Sequence, residues 1–402
     1  MIFDRRVPFH LRISYYYDSQ AGFFFGLFSG LTLSFISVVA RRMGASTIQM
    51  ASITSAPCVG LLLTFLWVYY SAGKKKMAIL YWPKVVARSL FFLMPLVHTP
   101  SFYVGIFAVS SILETVGNPV YSGIVKEIYP DKHRGKTMGY VRVVMNISII
   151  FASFIGGRLL DVWGDNGFRY LFPIGAVFGI IGISTFRKIK IKGEKIFRRK
   201  KPQFFEFFRE WFKDKVLLYL ACVIFVAGFG NLMLGPLCPI FLIDHLNVSL
   251  LFVGILSALS SFSSIIAYYY CGRFVDRKNP LLILRIIFLL VSFIPLLYFW
   301  GNRWGILLAA IIGGFSIGGW DITWFQYVTR RSSPEDIQAH VGLFYNLMGI
   351  RGIIAPFIAV NLINKIGLRF SFLVPFAVIF SGFILMIIFE KYEAKIAKEK
   401  GE

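Results

Sequence analysis

The chain has 402 residues, of which 57% are hydrophobic and 16% charged, with a formal net charge of +23. A soluble domain has about 25% charged residues and lacks repeated long apolar runs. Here apolar runs of about 20 residues recur from end to end, each long enough at ~1.5 Å per residue to cross a ~30 Å hydrocarbon layer. This excludes a soluble protein and also an outer-membrane barrel, whose strands alternate apolar and polar residues. It predicts an all-α membrane protein in which the basic excess marks loops on one side of the membrane rather than a nucleic-acid surface.

Arg5, Arg6 and Arg12 mark the N-terminal tail, and six spans are expected over about 18–40, 46–70, 81–97, 101–125, 137–157 and 170–186. Gly73-Lys74-Lys75-Lys76 closes the second span, Lys84 and Arg88 interrupt the third, and His98-Thr99-Pro100 turns the chain into the fourth. A polar stretch, 187–215, reads RKIKIKGEKIFRRKKPQFFEFFREWFKDK. Pro202 suits the first turn of a helix. Phe204, Phe205, Phe208, Trp211 and Phe212 then share one helical face, which predicts an amphipathic helix at the membrane interface. Six further spans are expected over about 216–237, 250–271, 281–300, 304–328, 339–362 and 370–389.

Twelve spans put both termini on one side. Of the 43 Lys and Arg, the loops on the other side hold only Arg41, Arg42, Arg158, Arg169, Arg303, Lys365 and Arg369, while the great majority lie in the tails and the opposite loops. That asymmetry orients the termini and the 187–215 linker toward the cytoplasm of a cell (inner) membrane. The four cysteines, Cys58, Cys222, Cys238 and Cys271, show no ligand or redox spacing and are expected to be small buried residues.

Shifted against itself by about half its length, the sequence repeats weakly. Met43-Gly44-Ala45-Ser46 meets Leu246-Asn247-Val248-Ser249, Lys74-Lys75 meets Arg277-Lys278, Gly139 meets Gly342 and Leu159 meets Leu362. One offset that persists over most of the chain points to two six-helix halves, 1–186 and 216–402, repeated in parallel across the linker.

Gly272-Arg273-Phe274-Val275-Asp276-Arg277-Lys278 ends the eighth span, and Pro130-x-x-x-Arg134-Gly135-x-x-x-Gly139-x-x-Arg142 follows the fourth. With Gly156-Gly157 at the end of the fifth span, these stretches resemble the major facilitator superfamily over about residues 12–390. The resemblance implies two pseudo-symmetric six-helix bundles that rock about a central cavity. It also implies a cytoplasmic gate at Gly272, Asp276 and Arg277, in which Gly admits a close neighbour and Asp caps or pairs. The equivalent first-half loop has Tyr69 and Gly73 where that signature needs Gly and Asp. Gly135-Lys136-Thr137 is not a phosphate-binding loop, because Pro130 stands where a Gly is needed and no strand precedes it.

Glu114 lies inside the fourth span, with Asn118 and Tyr121 at i+4 and i+7 on one helical face. Asp321 lies inside the tenth, flanked by Trp320 and Trp324. A charge at mid-bilayer costs about 2.5–3.5 kcal/mol, so it faces a cavity or a partner. The resemblance implies that the first and fourth spans of each half line the cavity, which would give both carboxylates access to substrate and suit them to carry a proton. The structural alternative is an ion pair with Arg88, Arg142 or Arg351. Aromatic faces beside Asp321 favour sugars, rings or cations. Arg142 and Asn146 on the fifth span, and Asn346 and Arg351 on the eleventh, either line the cavity or bond between helices.

The expected function is therefore secondary active transport of a small organic solute, with protons as the candidate coupling ion. The expected partners are membrane lipid and that solute, with no nucleic acid and no cofactor or metal, and the chain is expected to be a monomer. No clustered His, Asp, Glu or nucleophile constellation supports an enzyme. The altered first-half turn leaves a non-transporting membrane sensor or partner subunit on the same fold as the alternative.

Overall fold

A computed structural model describes residues 9–71, 75–129, 131–190, 214–277, 279–331 and 337–399. The amphipathic helix expected around Phe204–Phe212 lies outside them. Among the described residues the fold is wholly helical, with no strand. The helices up to the linker are α1 Phe9–Leu31, α2 Ile36–Arg42, α3 Thr47–Ser71, α4 Lys76–Ser89, α5 Pro100–Val116, α6 Asn118–Ile128, α7 Asp131–Trp163 and α8 Phe168–Phe186. Those after it are α9 Lys215–Ile240, α10 Leu250–Arg277, α11 Pro280–Trp300, α12 Arg303–Arg331, α13 Ile337–Ile366 and α14 Leu373–Glu399.

Eleven helical stretches among the described residues are long and apolar enough to cross a membrane. The chain is thus a multi-pass membrane protein. Several helices outrun the spans expected from hydropathy. The fifth begins at Asp131 and the twelfth continues to Glu399, because polar side chains outside the hydrocarbon do not stop backbone pairing. The third starts at Lys76 and carries Lys84 within it, then tightens into a 3₁₀ stretch, Leu90–Leu96, that contains Pro95.

The fourth expected span is two helices. Thr99 caps α5, its hydroxyl accepting from the Phe102 N–H at 3.4 Å, with Pro100 in the first turn. The helix then ends at Gly117, and α6 restarts with Pro119 in its own first turn. Proline has no N–H to give to the preceding turn and crowds the carbonyl four residues back, which favours the break seen here, although other helices of this chain carry a proline within them. Glu114, Asn118 and Tyr121 therefore do not share one uninterrupted helix.

The described residues form two compact units. The first takes in those of Met1–Ser46, Leu63–Lys200 and Val248–Phe262; the second takes in those of Thr47–Leu62, Lys201–Asn247 and Ser263–Glu402. In the first, α1 packs along α7 and α8, and α4 lies against α5 and α8. Its aromatic core interlocks Phe28, Phe91, Phe172 and Tyr103 edge-on or tilted. In the second, α9 packs on α13 and α14, and α11 on α12 and α14, around Leu220, Ile224, Leu284, Trp324 and Phe389.

Lipid is as apolar as the side chains, so these helices are held by close packing and interhelical bonds rather than by water exclusion. Gly157 on α7 shows how close. A Cβ there would sit 2.8 Å from the Leu251 Cα, and one at Gly254 would lie 3.5 Å from the Gly157 Cα. Asp161, one turn on, accepts from the Leu250 and Leu251 N–H groups, both at 2.8 Å, and so caps the N-terminus of α10.

Two expectations need correction. The helix of the eighth span does not end near Cys271, since α10 runs on through Arg277 and carries the Gly272–Arg277 stretch within it. The cysteines are all free, but only Cys58 and Cys271 are buried, while Cys222 is exposed; packing at those sites is set by helix face, which residue type alone does not reveal.

Candidate functional site

The polar groups of the first unit gather in two places. Lys84 and Arg88 are four residues apart on α4 and so share one face, and both reach Glu114 at the end of α5. Lys84 Nζ donates to Glu114 Oε1 at 2.7 Å and to the Glu114 carbonyl at 3.2 Å. Arg88 grips the carboxylate with two bonds, Nη2 to Oε1 at 2.8 Å and Nε to Oε2 at 3.2 Å, and gives Nη1 to the Gly179 carbonyl. Its guanidinium lies over the rings of Phe25 and Phe28. The interruption at Gly117 contributes, because it leaves the carbonyl end of α5 facing Lys84, and cations are favoured at such ends. Glu114 is thus held in an ion-paired triad. The structural alternative with Arg88 is realised; partners Arg142 and Arg351 are not.

The second place is near the middle of α1. Asp18, buried, accepts from the Tyr129 hydroxyl at 2.8 Å, and Arg142 and Tyr121 lie within electrostatic reach of it. Tyr121 also packs its ring on Phe186. Of the expected site residues, Tyr121 and Arg142 are therefore brought together, around an acid that sequence reasoning places at a span boundary. Asn146 is buried and turns inward on its own helix, its Nδ2 donating to the Arg142 carbonyl at 2.8 Å. Asn118 opens α6.

In the second unit Asp321 is exposed on α12 and accepts from the Tyr268 hydroxyl at 2.9 Å. No cation pairs with it among the described residues. Its aromatic neighbours point elsewhere. Trp324 is buried in the unit's core against Phe344 and Tyr345, and Trp320 stacks between Phe288 and Trp324. The two tryptophans share a face, four residues apart, and Asp321 is rotated about 100° from Trp320. They build the wall behind the carboxylate and do not flank it. Arg351 on α13 is buried and gives Nη1 to the Ile224 carbonyl on α9. Asn346 is half-buried on the same helix, and Gly272 lies near Ile322 on α12. The side chains of Asp276 and Arg277 lie outside the described residues.

A further network joins the ends of α9, α12 and α14. Arg331 pairs with Asp214 at 3.2 Å and with Glu393 at 3.7 Å, and Tyr327 donates to Glu393 at 2.5 Å. Asp214 also caps α9 through the Val216 and Leu217 N–H groups. Arg285 on α11 pairs with Glu390 on α14 at 2.6 Å.

Helices of membrane-spanning length that carry charged residues within their spans define a polytopic membrane protein with polar sites inside its helical units. The family model of the Major Facilitator Superfamily matches residues 19–349 and again 220–402, and the chain belongs to that superfamily. Its fold resembles a point mutant of the nucleoside transporter NupG, with a TM-score of 0.73 at 12% identity, covering 94% of this chain and 99% of that one. It also resembles a bacterial homologue of the human lysosomal transporter Spinster. The inward-facing, occupied form gives a TM-score of 0.63 at 14% identity over 95% of this chain and 96% of that one. The inward-facing, unoccupied form gives 0.61 at 15% identity over 95% of each.

Proposed function

We propose that this chain is a secondary active transporter of a small organic solute and works by alternating access, with Asp321 as its proton-linked carboxylate. In this reading 1–186 and 216–402 are the moving halves, 187–215 is the cytoplasmic linker, and both termini face the cytoplasm of the inner membrane. The protein acts as a monomer and performs no covalent chemistry. Membership of the superfamily across the chain supports transport. The contrast between the two intramembrane acids supports the assignment within it: Glu114 is gripped by two cations, whereas Asp321 has one hydroxyl donor and an exposed side chain. An acid kept in a membrane span without a counter-charge costs insertion free energy, and such residues mark ion and substrate pathways.

Asp321→Asn keeps an acceptor for Tyr268, so the fold is expected to survive. Proteoliposomes with an imposed pH gradient and a panel of labelled solutes provide the test. The variant is expected to lose gradient-driven accumulation at least tenfold while still exchanging solute across the bilayer. Full pH-responsive accumulation by Asp321→Asn would remove the carboxylate from the mechanism.

A further inference from the structure

Two arginines in the membrane-spanning helices are almost equally buried and very differently partnered. Arg88 is 4% exposed and engages all three of its nitrogens, two of them on the Glu114 carboxylate. Arg351 is 6% exposed and makes a single hydrogen bond among the described residues, from Nη1 to the Ile224 carbonyl. Its Nε is buried with no acceptor. No carboxylate reaches it among the described residues. The neighbour that does is Cys58 on α3, whose sulfur is a weak acceptor. A guanidinium is always charged, and a buried charge without a partner is strongly disfavoured.

The position is built for this side chain. Gly228 on α9 faces it, and a Cβ there would stand 2.6 Å from Nη2, inside the guanidinium's own space. Since Nη1 is committed to Ile224, the edge left over is the one formed by Nε and Nη2. That pair of parallel donors matches the two oxygens of a carboxylate or phosphate.

We propose that Arg351 is the anion-binding residue of the transport site, and that the transported solute carries a carboxylate or phosphate that docks on its Nε–Nη2 edge. The proposal rests on the transporter reading above and narrows its substrate class. The same edge would accept the phosphate of a lipid headgroup, so the test separates the two sources.

Purified protein in detergent would be melted with matched pairs: benzoate against benzamide, succinate against succinamide, phenyl phosphate against benzyl alcohol, and phosphatidylglycerol added to the micelles. Wild type, Arg351→Gln and Gly228→Ala would be compared, and the same soluble pairs offered to proteoliposomes. At least one soluble anion is expected to raise the wild-type Tm more than its uncharged counterpart. That difference should fall at least tenfold in apparent affinity in Arg351→Gln, which removes the charge, and in Gly228→Ala, whose methyl displaces the guanidinium. Without ligand, Arg351→Gln should melt no lower than wild type, since it removes an unpaired buried charge.

Equal stabilisation by acid and amide, equal response in Arg351→Gln, or no stabilisation by any anion would each overturn the proposal. So would a lower ligand-free Tm in Arg351→Gln with anion response retained, which is the behaviour of a merely structural arginine. Stabilisation by phosphatidylglycerol alone would make the anion a lipid and overturn its role in transport. Uptake of an uncharged member by wild type, undiminished in Arg351→Gln, would refute the anion site while leaving the transporter reading standing. Absence of uptake for every member alongside Arg351-dependent stabilisation would count against transport and not against anion binding.

Discussion

Replacing Glu114 with Gln would leave Lys84 and Arg88 side by side in the protein interior with no carboxylate between them. Breaking a buried pair by removing one partner typically costs about 3–5 kcal/mol. Glu114→Gln is therefore expected to lower the detergent Tm markedly, and adding Lys84→Met should recover part of the loss. A Glu114→Gln protein that melts with wild type would show that the triad does not hold α4 to α5. The sequence makes the components of this triad visible: two cations four residues apart and an acid in the next span. It does not tell which of Arg88, Arg142 and Arg351 takes the acid, because that depends on which helices become neighbours. Asp18 is harder to see. Its partner Tyr129 is 111 residues away, and an acid near the start of an apolar run looks like the edge of a span. The tryptophans beside Asp321 mislead for another reason: adjacency along the chain is not adjacency on a helix, and the four-residue spacing of Trp320 and Trp324 already puts them on a face of their own.

Helices follow the sequence closely where apolar runs are unbroken, as in α8 and α11, and less closely where two rules compete. Hydropathy ends the fifth span at the first charges, whereas backbone pairing carries α7 from Asp131 to Trp163. Pro119 is legible as a breaker, but the sequence does not show that the chain stops at Gly117 and restarts within one span. The N-terminus of α10 is half legible. Ser249 is a readable cap, its hydroxyl accepting from the Phe252 N–H at 3.1 Å. The stronger cap, Asp161, comes from another helix and leaves no local trace. Asp161→Ala strips two backbone donors of their acceptor and is expected to cost about 0.5–2 kcal/mol, measurable as a lower Tm. Asp161→Asn, which keeps an acceptor oxygen, should lose less. Equal losses in the two variants would mean that charge at the helix end, and not the hydrogen bonds, holds the cap.

Over the whole chain the orientation argued from Lys and Arg is the part most open to direct measurement. In a background lacking Cys58, Cys222, Cys238 and Cys271, a cysteine at Lys75 is expected to react with an impermeant thiol reagent only from the cytoplasmic side. One at Asp165 should react only from outside. Both residues are exposed in loops or at helix ends, so the expected labelling is all or none, and a reversed pattern would invert the proposed topology. The first unit contains Val248–Phe262 as well as earlier helices, and the acceptor Asp161 is separated from its two donors by 89 and 90 residues. A ribosome adds about 5–20 residues per second, so Asp161 waits on the order of 4–18 s for the helix it caps. The helices synthesised first thus spend that interval in the bilayer with the Asp161 carboxylate left to water and an uncovered glycine seam. Assembly of this unit is timed by translation of a segment beyond the linker, which makes that stretch of synthesis the window in which chaperones or quality-control proteases would meet it incomplete.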